Sequence, residues 1–164
     1  MSRHQVSIEI NGRPAEVWVE PNLSLLELLR DEGAATEVKL GCGEGVCGTC
    51  TVLLDGDPVN SCLMFAVQAD GSKITTVRGL APAGELHPLQ QSFLDHAGSQ
   101  CGFCTPGMVV TSKWYLDRHP RADRQELRQA LSGNLCRCTG YTKILDALEA
   151  YRDSRHNEET PVVG

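Results

Sequence analysis

Eight cysteines carry the chemistry this chain can do, and their spacing divides them into two sets. Cys101 and Cys104 form a C-x2-C pair, and Cys136 and Cys138 form a C-x-C pair. Four thiolates converging from two loops can hold one tetrahedral metal ion or one iron–sulfur cluster. The other set decides between them. Cys42, Cys47 and Cys50 follow C-x4-C-x2-C, with Cys62 further on, which is the plant-type 2Fe–2S spacing. Eight thiols satisfy two such clusters, so no histidine has to replace a cysteine. The histidines (His4, His87, His96, His119 and His156) pair with no nucleophile or carboxylate in the sequence and are read as surface or capping residues. No residue is assigned a catalytic role.

The loops that hold these thiols have the composition such wrapping requires. In Gly41-Cys42-Gly43-Glu44-Gly45-Val46-Cys47-Gly48-Thr49-Cys50, glycines permit backbone angles other residues adopt only at a cost. They also leave backbone N–H groups free to point at sulfur, where hydrogen bonds tune an anionic cluster. In the second set, each pair precedes a helix start, at Pro106 and at about Tyr141, so two positive helix ends face the thiols. Arg137, between two candidate ligands, either offsets cluster charge or pairs at the surface. Trp114 and Phe103 are read as packing residues.

Ahead of the first loop, Val6, Ile8 and Ile10 alternate as in a strand, Asn11-Gly12 marks a hairpin turn, and Ala15, Val17 and Val19 alternate in the return strand. Ser24 and Glu27 form a capping box for a short helix that Gly33 ends. After the loop come a strand at Thr51–Leu54, a turn at Asp55-Gly56, a return over Pro58–Cys62 and a closing strand at Ile74–Val77. Beyond a Pro- and Gly-bearing linker the period becomes helical. One helix starts at Pro88, with an apolar face of Leu89, Phe93, Leu94 and Ala97 and a stop at Gly98. A second is capped by Thr105, opened by Pro106 and ended by His119-Pro120. A third is capped by Asp123 and Glu126, carries Leu127, Ala130 and Leu131, and closes at Gly133. A fourth runs from about Tyr141 with Ile144, Leu145, Leu148 and Tyr151, and the polar tail from Arg152 is expected to fray. Taken with the cysteine spacing, which the periodicity alone would not replace, these elements fit an α+β fold: a ferredoxin-like β-grasp domain over 1–79, a linker at 80–84, and a four-helix bundle over 85–164.

Composition narrows the function classes. A net charge of −6 and 5% aromatic residues argue against a nucleic-acid partner. Residues 1–79 hold 6 Lys/Arg against 11 Asp/Glu, and residues 80–164 hold 9 against 10, so the first half carries most of the negative charge and offers a docking face. The N-terminus lacks the apolar run of a signal peptide and no stretch could span a bilayer, so a cytoplasmic protein is expected. In that reducing compartment thiols serve as metal ligands rather than disulfides.

The motifs Gly-Cys-x4-Cys-Gly-x-Cys, Gln-Cys-Gly-Phe-Cys-Thr-Pro-Gly (from Gln100) and Gly-Asn-Leu-Cys-Arg-Cys-Thr-Gly-Tyr (from Gly133) together resemble the small iron–sulfur subunit of the xanthine oxidase, or molybdenum hydroxylase, family. The resemblance runs from about Val6 to Tyr151. It implies a β-grasp domain with a distal 2Fe–2S cluster on Cys42, Cys47, Cys50 and Cys62. It further implies a helical domain with a proximal one on Cys101, Cys104, Cys136 and Cys138. A large partner subunit would hold a molybdopterin cofactor and oxidise an aldehyde, N-heterocycle or similar substrate. Electrons would leave through the proximal and then the distal cluster, usually to FAD on a medium subunit. Gln100 and Cys138 would lie against the pterin. A chain stopping near Gly164 is expected to be a separate subunit rather than the front of a fused polypeptide. Two readings compete: a free-standing two-cluster ferredoxin, and a zinc-stabilised interaction module.

Overall fold

The structure is a computed structural model describing residues 3–82 and 84–159. Ala83 of the expected linker, Met1-Ser2 and the end of the tail at 160–164 lie outside the described residues.

Strands β1 (His4–Ile10) and β2 (Arg13–Val19) pair antiparallel around the Asn11-Gly12 turn, where φ is +50° and +79°. Two successive positive φ values match the twist of a two-residue hairpin. Helix α1 (Leu25–Asp31) opens on the expected capping box, Ser24 accepting the N–H of Glu27 while the Glu27 carboxylate accepts that of Ser24. Gly33 lies at its end as expected, but the left-handed residue there is Ala34 (φ +49°). Gly33 is needed for space instead, since a Cβ would stand 2.8 Å from the Leu29 carbonyl.

Strands β3 (Thr51–Leu54) and β4 (Asp57–Asn60) flank the Asp55-Gly56 turn, and β5 (Lys73–Thr75) completes a five-stranded sheet in the order β2-β1-β5-β3-β4. Among the described strands β1 and β5 pair parallel and the other neighbours antiparallel. The closing strand is shorter than Ile74–Val77. Thr76 caps a 3-10 turn over Val77–Leu80, which takes Val77 out of the sheet. Leu25, Leu26, Leu28 and Leu29 of α1 bury against Val6, Ile8, Ile10, Val52 and Ile74. Each such side chain contributes about 1.5–3 kcal/mol.

The described residues hold five α-helices, α1 beside the sheet and four in the second half. These are α2 (Pro88–Asp95), α3 (Thr105–Arg118), α4 (Arg124–Ala130) and α5 (Thr142–Glu159). Helix α5 packs on α2 and α4, and α3 also touches β3 and β4. Their core joins Leu89, Phe93, Met108, Leu116, Leu127, Ile144 and Leu148, and Val77 and Leu80 pack against it from the chain connecting the halves. Three expectations change. Leu94 and Ala97 are exposed rather than on an apolar face. Cys104, not Thr105, precedes the first turn of α3, and the Thr105 hydroxyl turns to Ser99. Helix α5 continues past Arg152 to Glu159, held by Arg152 on the Ala122 carbonyl (2.7 Å) and Arg155 on Asp117 (3.2 Å).

Candidate metal centres

The eight cysteines are all free thiols, and they meet in pairs. In the first half the Cys42 thiol is electrostatically linked to that of Cys47, and Cys50 to Cys62. In the second, the Cys104 thiol is electrostatically linked to that of Cys136, and Cys138 Sγ lies 3.6 Å from Cys101 Sγ. Two thiolates about 2.3 Å from one tetrahedral metal stand ~3.8 Å apart, so this last pair has the separation of two ligands on one metal. Pairs fit a dinuclear cluster, whose two irons share four thiolates.

The local chain explains these placements. The first loop carries left-handed glycines at Gly43, Gly45 and Gly48. The N–H of Glu44 donates to Cys42 Sγ at 3.3 Å. That bond, followed by the Cys47 thiol, brings Cys42 down to about 6. Burial pushes Cys50 up to about 11. In the second half burial likewise pushes Cys104 up to about 12, while the Cys101 thiol raises Cys138. Burial also opposes ionisation of Cys136, but the hydroxyl and N–H of Thr139 and the N–H of Cys138 outweigh it and lower that thiol. The Thr139 hydroxyl lies 3.1 Å from Cys136 Sγ. The N–H group expected to aim at sulfur in the glycine-rich loop is thus present at Cys42, and Cys136 receives others in the second half. Helix α3 starts directly after Cys104 and α5 four residues after Cys138, so each pair sits near a positive helix end.

The second set has an inner and an outer pair. Cys104 and Cys136 are half-buried, whereas Cys101 and Cys138 are exposed, as is Gln100 beside them. Arg137 is exposed on the same rim and makes no ion pair among the described residues. Phe103 is exposed too, contrary to its reading as a packing residue. Trp114 is half-buried, donates to Asp57 Oδ1 at 3.1 Å and lies under the Arg118 guanidinium, joining α3 to the β3–β4 turn.

Four residues at the site were not singled out from the sequence. The Asn134 side chain donates to the Gly48 carbonyl at 2.9 Å, and the Leu135 N–H to the Cys47 carbonyl at 2.9 Å. The Thr49 hydroxyl donates to the Phe103 carbonyl at 3.0 Å. Tyr141, at φ +67°, accepts the N–H of Cys136 and donates to the Asn134 carbonyl through one hydroxyl. Asn134 and Tyr141 stand inside the Gly-Asn-Leu-Cys-Arg-Cys-Thr-Gly-Tyr motif, which was the available signal.

Comparison with known proteins agrees with this geometry. Residues 8–76 match the 2Fe-2S iron-sulfur cluster binding domain and residues 76–149 the [2Fe-2S] binding domain. The chain is 49% identical over 144 residues to the nicotinate dehydrogenase small FeS subunit of Eubacterium barkeri, covering 88% of this chain and 92% of that one. It is 42% identical to the xanthine dehydrogenase iron-sulfur-binding subunit of Escherichia coli O157:H7, covering 87% and 91%. The crystal structure of quinoline 2-oxidoreductase from Pseudomonas putida 86 superposes with a TM-score of 0.90 at 45% identity, covering 98% of this chain and all of the matched chain. The chain belongs to the family of small iron–sulfur subunits of the molybdenum hydroxylases. As such a small subunit it is a two-cluster, non-catalytic electron-transfer component of an oxidoreductase. No helix among the described residues is long and apolar enough to cross a membrane.

Proposed function

We propose that the chain relays electrons from a molybdopterin site on a large partner subunit towards FAD on a medium partner subunit. The observation that carries this reading is the exposed pair Cys101 and Cys138, 3.6 Å apart on the rim that also bears Gln100. Ligand thiols left at a free surface call for a partner to cover them, and Gln100 offers that partner both a donor and an acceptor. Cys138 and Gln100 are the residues assigned to the pterin. Cys42, Cys47, Cys50 and Cys62 would hold the distal cluster, and Cys101, Cys104, Cys136 and Cys138 the proximal one. A bound 2Fe–2S cluster accepts and releases a single electron. The chain's own part is to aim N–H groups at the sulfurs, to bury Cys50 and Cys104, and to hold both sites in one body.

The architecture is read as a β-grasp domain over 1–79, a linker at 80–84 and a four-helix bundle over 85–164. The meeting of the two family matches at residue 76 supports a division close to that point. Eight free thiols favour a reducing compartment, the cytoplasm. Nicotinate, xanthine and quinoline in the relatives' names put an N-heterocycle ahead of an aldehyde as the substrate of the complex. The same names, two of them subunits, speak against a free-standing carrier. The test is to purify the natively expressed chain and to add N-heterocycles to what co-purifies. A larger chain should accompany it, and a suitable heterocycle should bleach the iron–sulfur absorption. A monodisperse, fully loaded monomer without partners would refute the reading.

A further inference from the structure

The segment Cys47-Gly48-Thr49 touches both ligand motifs of the second site with successive residues. Cys47 accepts from the Leu135 N–H, Gly48 accepts from the Asn134 side chain, and Thr49 donates to the Phe103 carbonyl, at 2.9, 2.9 and 3.0 Å. Leu135 immediately precedes Cys136, and Phe103 immediately precedes Cys104. The three bonds, two to backbone carbonyls and one from the Thr49 hydroxyl, therefore bracket the inner thiol pair, Cys104 and Cys136, from the loop of the other site.

The junction has no play. A Cβ on Gly48 would fall 2.3 Å from the Gly133 carbonyl, and one on Gly107 would fall 2.3 Å from the Gly48 carbonyl. The Asn134–Gly48 bond is buried, and Thr49 and Asn134 are each only 4% exposed. A buried carbonyl deprived of its donor there has no solvent to replace it. Tyr141 braces the same loop from the far side through the Cys136 N–H and the Asn134 carbonyl. With that side fixed, the spacing of the two motifs follows from the wedge between them.

We propose that Thr49 and Asn134 are positioning residues for the second cluster site, and that the Cys47–Thr49 segment of the first site sets the separation of its ligand motifs. The inference rests on the two-cluster reading above. Neither side chain supplies a ligand: Thr49 acts through Phe103, which precedes Cys104, and Asn134 through Gly48, which follows Cys47.

The test uses the chain purified with its native partners, with Cys138→Ser identifying the second-site signal among the paramagnetic signals of the reduced protein. Thr49→Val keeps the shape of the side chain and removes its hydroxyl, and Thr49→Ser keeps the hydroxyl. The Val variant should shift the second-site signal and leave the first-site signal unchanged, while the Ser variant should restore the wild-type spectrum. Asn134→Ala should lower iron about twofold, from about four to about two per chain, with the loss confined to the second site. If Thr49→Val and Asn134→Ala both keep the wild-type second-site signal and iron content, the proposal is wrong. Equal loss of both signals would contradict it as well, because that is the mark of general unfolding. A wild-type complex without two signals would overturn the cluster reading, and this inference with it.

Discussion

Gly107, in the first turn of α3, lies so close to Gly48 that a Cβ placed on it would stand 2.3 Å from the Gly48 carbonyl and 3.1 Å from Thr49 Cα. Both obstacles are backbone, and backbone does not rotate away as a side chain does. The contact seats the helical half on the first thiol loop. Gly107→Ala should therefore cost about 1–3 kcal/mol, the usual range for forcing atoms into a filled core. Gly133→Ala is the control, since nothing lies within 4 Å of its Cβ. Denaturant titration of the two variants should separate them; equal midpoints would show that the interface yields.

The second contact between the halves is predicted to matter little. Asp57 meets Arg118 at 3.1 Å, but their side chains are 72% and 46% exposed. Exposed pairs contribute about 0–1 kcal/mol. Asp57→Asn should lower stability by less than about 1 kcal/mol and leave both cluster signals in place. A loss as large as that of Gly107→Ala would move the hinge between the halves from the wedge to this pair.

His87 gives α2 a pH-dependent start. Its Nδ1 accepts the N–H of Leu89 at 3.1 Å, which only the neutral ring can do. Burial, with the nearby Lys113 charge second, lowers its pKa below the ordinary value. A group with a lowered folded pKa contributes stability that is fully present above the unfolded value, about 6.5. That contribution is lost as pH falls from there through the folded value. His87→Asn keeps a cap that does not titrate. Its stability should be flatter than wild type below about pH 6.5, as followed by thermal melts across pH. Parallel profiles would remove the ring from the cap.

Much of this organisation is legible in the sequence because it is local. Asn11-Gly12, Asp55-Gly56 and the capping boxes of Ser24 with Glu27 and Asp123 with Glu126 act within a few residues, and all four stand where the pattern puts them. The cysteine spacings likewise announce two thiol sites. What was not legible is long-range or steric. The Asn134–Gly48 bond joins residues 86 apart in sequence, and no periodicity encodes it. Gly107 reads as a helix interior glycine, and only the neighbouring backbone explains it. Ala34, Ala97 and Tyr141 occupy left-handed positions that glycine would usually signal. The end of α5 was misread because Arg152 and Arg155 look solvated in sequence, yet reach Ala122 and Asp117 on neighbouring segments.

On the exposed rim, ligand and neighbour should behave differently. Gln100→Ala removes no thiol and should keep both clusters while slowing their reduction by substrate. Cys138→Ser breaks the pair with Cys101 and should damage the proximal cluster first. Its effect on the distal signal should be small, because the bonds of Cys47 and Gly48 are made to Leu135 and Asn134, ahead of the C-x-C pair. Rapid-mixing spectra provide the check. A Gln100→Ala complex reduced at the wild-type rate would remove that side chain from the pterin contact.

The central claim, two dinuclear clusters on eight paired thiols, is tested most directly by metal analysis of the purified complex combined with paramagnetic resonance after reduction. The thiol pairing predicts about four irons assignable to this chain and two distinguishable signals. Zinc in place of iron, or a single signal from a fully loaded protein, would contradict it.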